Sequence, residues 1–475
     1  MTFADLVLIN GNIITMNPKQ PKAQATAIKH DKIVEVGTNH EIKPWINKNT
    51  KIIDLKGKTV VPGFIDTHAH MLGFGRSLTT IDLRGTTSIK EIQQKLKEEI
   101  QKTPKGKWIF GHGWDQERFK EKRYPTRWDL DESAPDNPVT LRRVCGHICA
   151  TNTKALKLAN ITKQTKPPPG GEIDKEPQTG EPTGILRENA MDLIQKVTPK
   201  PDENELMEAC VLACQKAVKA GLTGVHWIID SPTEISIIQK LRAQGKLPFR
   251  VYILVPVEFL DHLIELGLQT GFGDNTAKIG CIKILADGSL GARTAALKEP
   301  YSDQPNNKGM MLYTLKELKR LVIKAHEAGF QLAIHAIGDH AVEIVLDALE
   351  NALSRVSRED HRHRIEHASV LNGKAVQRMR KLNLIASVQP HFIVSDFWAG
   401  DRVGSERARW VYPFKTLIKE GVTVAGGSDC PVEPINPLLG IQAAVARETF
   451  PKERVAVDEA LRIYTVNAAY ASFED

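Results

Sequence analysis

Cysteine is scarce in this sequence: six residues in 475, at Cys145, Cys149, Cys210, Cys214, Cys281 and Cys430. So few thiols, so dispersed, exclude a dense disulfide framework and fit a reducing cytoplasm. Cys210 and Cys214 are spaced as two buried thiols on an amphipathic helix, not as a zinc pair. Charge of one sign is never concentrated. Lys plus Arg is 64 against 57 for Asp plus Glu, and the net +7 is spread without a long run of like charges. The basic stripe with interleaved aromatics that a nucleic-acid partner requires is missing. No apolar run approaches the ~18 residues of a membrane span. The N-terminus, MTFADLVLINGNIITMN, lacks a basic segment followed by a long apolar core, so it does not read as a signal peptide. Internal repeats and low-complexity tails are also lacking.

What is present is a change of rhythm near Pro62. Before it, short strands alternate with turn signals: DLVLI, NGN, IITM, AIKHDKIVEVG, KIIDLKGKTVV. Residues 1–62 are therefore expected to form a small β domain. From Gly63 to residue 475, apolar β-branched runs alternate with amphipathic stretches, the sign of βα units around a parallel sheet. Ten runs qualify as strands: GFIDTHAH, WIFGHGWD, PVTLRRV, TGVHWII, FRVYILV, CIKILAD, FQLAIHAIG, HRIEHAS, LIASVQPH and TVAGGSD. A closed βα barrel uses about eight, so two of the four runs between the first and CIKILAD belong to excursions, and the sequence leaves open which. Helices are clearest in SIKEIQQKLKEEIQK, ENELMEACVLACQKAVKAG, TLKELKRLVIKAHEAG and DHAVEIVLDALENALSR, each with apolar residues at helical spacing. The Pro- and Gly-rich stretch 166–184 is expected to be no core element, but a surface loop or an active-site flap.

GFIDTHAH places His68 and His70 two apart at the end of a strand, hence on one side of it. His335, His367 and Asp429 each end a later apolar run. The intervals, 32 and 62 residues, are close to one and two βα repeats of about 30 residues, so these side chains are expected to converge at one barrel face. Neutral imidazoles with a carboxylate are the donors of a hydrolytic metal site. Lys283 is the anomaly, an ammonium among Cys281, Ile282, Ile284 and Leu285, and unpaired burial would be costly. Desolvation would depress its pKa and make it a nucleophilic amine, able to capture carbon dioxide as a carbamate. A lysine that reaches the barrel end or pairs with Asp287 is the plainer alternative.

VVPGFIDTHAH, KILADGSLGARTAAL, LAIHAIGD, RIEHA and GGSDCPVEPINPLLGIQAAV, in that order, resemble the amidohydrolase superfamily. The similarity is greatest to its amidohydrolase-3 branch, which includes N-substituted formamide deformylase, and spans about residues 3–475. The resemblance implies an α/β fold: a distorted TIM (β/α)8 barrel with a small, mainly N-terminal β-sandwich. It implies metal ligands at His68, His70, an N6-carboxylated Lys283, His335, His367 and Asp429. A metal-activated hydroxide would attack the substrate, with Asp429 as the proton acceptor. In the family a returning C-terminal segment completes the sandwich, and here the sequence ends, at Asp475, in the region that precedes that return. The small domain is thus expected to be incomplete at its C-terminal side: either the chain is a piece of a longer one, or an unpaired sheet edge invites homo-oligomers.

The expected activity is hydrolysis of a non-peptide C–N bond, of amide or N-formyl type, in a small molecule. One or two divalent ions are expected per chain, zinc first among metals that such donors suit. Substrate contacts are expected from His112, Trp114 and Asp115 in GHGWDQ, His147 in CGHICATN, Asp287, Arg293 and His391. Each of these taken singly could instead be structural. His30, His40, His262, His326 and His361 read as surface or packing residues. Two other readings compete: a deaminase of the same fold with one metal and an unmodified Lys283, and a non-catalytic scaffold acting through partners.

Overall fold

A computed structural model describes residues 3–143 and 148–475. The chain divides into two compact units, Met1–Met71 with Cys214–Asp475, and Leu72–Ala213.

The first unit contains an eight-stranded parallel sheet. Its strands in chain order are Phe64–Ala69, Leu222–Ile228, Arg250–Pro256, Ala277–Leu285, Gln331–Ala336, Arg364–His367, Ile385–Val388 and Thr423–Gly426, and spatial neighbours follow the same order. The first and last come together at a parallel bridge between Ala69 and Cys430. Backbone bonds from Asp429 N–H to the His68 carbonyl, 2.7 Å, and from His70 N–H to the Cys430 carbonyl, 2.8 Å, secure it. Strands buried on both faces read as near-continuous apolar runs; the first strand is buried throughout, and its polar Asp66, Thr67 and His68 are each hydrogen-bonded. Helices between the strands include Leu315–Glu327 and Asp339–Arg355, the former started by a reciprocal cap between Thr314 and Glu317. Residues 6–60 form two small sheets, one of four strands and one of three. The barrel with small N-terminal sheets is the architecture the sequence implied.

The second unit holds a six-stranded sheet in the order Gly171–Lys175, Pro182–Glu188, Ile148–Thr151, Val139–Arg143, Ile109–Trp114, Ile81–Asp82. The two excursion strands are thereby identified: WIFGHGWD and PVTLRRV pair here, not in the barrel. Helix Ile89–Ile100 buries Ile92 and Leu96 in a core with Trp114, Phe119 and Leu141. The stretch 166–184 departs from the expectation of no core element. It supplies strand Gly171–Lys175 and the start of Pro182–Glu188, an antiparallel pair whose Ile173 and Leu186 join a buried cluster. Its prolines and glycines lie mostly outside the paired positions, which leaves the ladder intact.

Candidate metal centre

The end of the first barrel strand is anchored before any metal ligand is considered. Asp66 is buried and its Oδ1 accepts the backbone N–H of His68 and of Ser428, both at 3.0 Å, which ties the first strand to the segment after the eighth. Gly427 permits that closeness. A Cβ there would lie 2.6 Å from the His68 nitrogen and 2.8 Å from Asp66 Oδ1. Asp429 follows in a left-handed backbone conformation, φ 58°, and His367 adopts φ 71°. Non-glycine residues pay strain in that region, and surrounding structure must hold them there.

His68, His70 and Asp429 converge, one donor atom from each lying within 4.8 Å of the others. Both imidazoles turn Nε2 to the same oxygen, Asp429 Oδ1, at 3.4 Å. Lys283, on the fourth strand and 6 % exposed, puts Nζ 3.2 Å from His68 Nε2. The His367 ring centre is 4.9 Å from that of His68, and the His335 ring centre is 4.5 Å from that of His367. All six residues singled out in the sequence therefore lie in one continuous cluster. This cluster is the strongest metal candidate among the described residues.

Each ring is oriented from behind. The His68 Nδ1–H is bound to the carboxylate of Glu366, which also pairs with Arg364, and both charged side chains are fully buried. Arg364 in turn donates to His226 Nδ1 at 2.7 Å and to the Thr67 carbonyl at 2.6 Å. His367 donates Nδ1–H to Gln389 Oε1, 2.6 Å. His335 Nε2 faces the Gly288 carbonyl at 3.0 Å. Fixing one ring nitrogen as donor leaves the other as a lone pair, the form a metal ligand needs.

The charge state fits the same use. Burial, reinforced by the Lys283 charge, pushes His68 down to about 4, so it is a neutral donor near neutrality. His367 is held well below the ordinary imidazole range, chiefly by burial. Burial lowers Lys283 to about 8. Although burial works against the charged forms, the neighbouring imidazoles hold Asp429 well below the usual carboxylate range, and Asp230 and Asp429 raise His70 to about 9. A cationic proton is stabilised where a metal would bring its own positive charge. The donor set thus fits a divalent cation.

The expected substrate residues separate. Asp287 is buried and its carboxylate accepts three backbone N–H groups, from Ala296, Ile337 and Gly338 at 2.9 to 3.0 Å, so it braces the loops under His335. It does not pair with Lys283. Arg293 pairs with Asp303 at 2.6 Å, not with Asp287. His391, at the end of the seventh strand, is bound through Nδ1 to Glu433 and keeps part of its ring exposed. In the second unit, His112 Nδ1 contacts Thr80 Oγ1 at 3.0 Å, and Asp115 pairs with Arg143 at 2.8 Å. Trp114 is fully buried there and donates its indole N–H to the Leu141 carbonyl, which is core packing and leaves it no surface for a ligand. His147 lies outside the described residues.

The sequence profile of the amidohydrolase family matches residues 51–475. The chain belongs to the amidohydrolase family. Within its amidohydrolase-3 branch, the chain is 38% identical to a Bacillus subtilis (strain 168) protein named amidohydrolase YtcJ, over 97% of this chain and 88% of that one. It is 30% identical to the N-substituted formamide deformylase of Arthrobacter pascens, over 98% of this chain and 89% of that one. A crystal structure of an uncharacterized metal-dependent hydrolase from Pyrococcus furiosus superposes with a TM-score of 0.83 at 35% identity, covering 99% of this chain and 95% of the other. Glu366, Arg364, His226 and Gln389 were not singled out in the sequence of this amidohydrolase. The first two carried a signal: opposite charges two apart, hence on one side, in the strand run HRIEHAS.

Proposed function

We propose that this amidohydrolase is a metal-dependent hydrolase that cleaves a non-peptide C–N bond, of amide or N-formyl type, in a small molecule. The observation that carries the reading is the convergence of His68, His70 and Asp429, with His68 a neutral imidazole fixed by Glu366 and Asp429 an ionised carboxylate facing both rings. His335, His367 and Lys283 complete the donor set, and zinc is the ion we assign to it. When bound, a divalent cation lowers the pKa of water and polarises a carbonyl. Asp429 accepts the proton of the attacking water as the new C–O bond forms. It then delivers that proton to the nitrogen as the C–N bond breaks, giving a carboxylic acid and an amine. The A. pascens relative supports an N-formyl substrate by its name. As a free amine, Lys283 would add to carbon dioxide with release of one proton, turning a cation into an anionic two-oxygen donor.

His391, held by Glu433, and Arg293 are the residues of the first unit proposed to contact substrate. The described cysteines are all buried, in keeping with a cytoplasmic enzyme. No helix among the described residues is long and apolar enough to cross a membrane. One observation favours a mononuclear deaminase as the second reading: three donors converge on their own, with the Lys283 amine next to His68. Metal content per chain, measured with and without bicarbonate on wild type and Lys283→Ala, separates the two. Two metals, reduced by the substitution, support the carbamate; one metal, indifferent to it, supports the deaminase. Asp429→Asn should lose about 10²- to 10⁴-fold in turnover, the scale of a lost general base, while metal stays bound at the imidazoles. Undiminished turnover would sink the mechanism.

A further inference from the structure

We infer that the two metal positions of this site are unequal, and that Glu366, clamped by Arg364, is the positioning residue that makes the His68–His70–Asp429 position the retained one. The inference rests on the metal-dependent reading above.

The argument starts from what stands behind each imidazole. His68 is backed by a carboxylate. That carboxylate is oriented by a guanidinium whose other nitrogens bind His226 Nδ1 and the Thr67 carbonyl. Arg364 therefore grips the backbone immediately before His68 and, through Glu366, the ring of His68 itself. Backbone and side chain are fixed by one buried group. The rings of the other position have neutral acceptors. His367 leans on the Gln389 amide oxygen, and among the described residues the buried Gln389 amide nitrogen has no hydrogen-bond partner, so no second hydrogen bond orients that amide. His335 bonds the Gly288 carbonyl, and Asp287, 3.4 Å from the ring, has its charge spent on three backbone N–H groups.

An imidazole that donates to a carboxylate is a stronger electron donor than one that donates to an amide or carbonyl, and removing such a partner typically weakens metal binding by about 10- to 100-fold. Asp429 adds a negative donor on the same side, 3.4 Å from both His68 and His70. His70 has its own acidic neighbour, Asp230, at 3.7 Å. The Lys283 ammonium beside His68 opposes a cation there until it is neutral or carboxylated; the carboxylates, the orientation and the donor strength favour the first position. Among the described residues nothing comparable supports the second.

The test is stepwise removal of zinc from the zinc-loaded full chain by a chelator of graded concentration. Metal content is read by elemental analysis, and the remaining ion is located by anomalous diffraction. Wild type should lose one ion first and keep the other at His68, His70 and Asp429, with affinities at least about tenfold apart. Glu366→Gln should weaken the retained ion by about 10- to 100-fold with little effect on the other, and Gln389→Ala should weaken only the ion at His335 and His367. If Glu366→Gln fails to fold because Arg364 is left unpaired, the wild-type release order and Gln389→Ala still decide. Simultaneous loss of both ions overturns the inference. So does retention at His335 and His367, or an unchanged affinity in a folded Glu366→Gln. Uptake of one ion only, at His68, His70 and Asp429, is the limiting case of the same inequality. A chain that takes up no metal refutes the functional reading, and this inference with it.

Discussion

Acid should destabilise this barrel through three histidines far from the metal candidates in role. His326, His361 and His363 are buried, and every ring nitrogen is assigned. Leu332 N–H donates to His363 Nδ1 at 3.0 Å, so His363 carries its proton on Nε2 and donates to His326 Nδ1 at 2.9 Å. His326 then donates from Nε2 to the Val356 carbonyl at 2.7 Å. His361 accepts the His363 N–H at Nδ1, 2.9 Å, and donates Nε2–H to the Leu382 carbonyl, 3.0 Å. No lone pair is left for a second proton. Burial lowers all three, His361 to about 4 and His363 well below its ordinary value, and Arg358, bonded to the Phe330 carbonyl, adds to the effect. The unfolded chain titrates these groups near 6.5 and so binds more protons than the folded one once the pH falls below that value. Stability is then lost progressively down to about pH 4. For His361, moving from about pH 7.5 to about pH 5.5 costs about 1.3 kcal/mol, and the lowered His326 and His363 add losses of the same sign. The assay is urea unfolding at the two pH values for wild type and His361→Asn. Asn retains an acceptor for the local N–H but cannot titrate, so its pH-dependent loss should be smaller by about 1.3 kcal/mol. An identical pH dependence in the variant would refute the assignment of these protons.

Asp396 should work in the opposite direction. Burial, opposed by the 2.5 Å bond from the Tyr412 hydroxyl, raises its carboxyl to about 6. The folded state holds this proton to higher pH than the unfolded chain, so stability falls as pH rises from about 4 to about 6. Because the group is partly exposed, the loss is discounted to about 1–2 kcal/mol, and Asp396→Asn should remove it; an unchanged slope between those pH values counts against this. Asp287→Asn leaves three backbone N–H groups short of acceptor capacity and should cost about 2–4 kcal/mol in thermal or urea unfolding. Wild-type stability in that variant would show that the carboxylate does not brace these loops. Gly427→Ala forces a Cβ against the His68 nitrogen and Asp66 and should lower metal affinity by about tenfold or more, read by equilibrium dialysis. Unaltered affinity would mean that the approach of Asp429 to His68 does not depend on this glycine.

The barrel strands were legible because a strand buried on both faces is mostly apolar, and the polar residues that interrupt the first and sixth, FIDTHA and RIEH, are the site and its supports. What the sequence could not decide was partnership. WIFGHGWD and PVTLRRV look like barrel strands, and only pairing with each other, away from the eight-stranded sheet, distinguishes them. Trp114 shows a finer failure. Alternation puts His112 and Trp114 on one side, but the register shifts between them at Gly113, φ 91°. The indole turns into the core while His112 stays half-buried. Glu366 and Gln389 escaped notice for another reason: a partner 298 residues from His68 leaves no local pattern, and an amide beside a proline reads as a loop residue.

The two H-x-H pairs make the limit explicit. His68 and His70 share their spacing with His361 and His363, yet the first pair ends a barrel strand and the second precedes one, Arg364–His367. At the leading end, backbone groups and a neighbouring ring consume both nitrogens of each imidazole, and nothing remains to bind a cation. At the trailing end, where the chain turns out of the barrel, Glu366 takes one nitrogen of His68 and leaves Nε2 facing Asp429 and Lys283. Spacing sets which side of a strand two histidines share; the unspent lone pairs, which depend on the strand end and on partners remote in sequence, determine whether that side can hold a metal.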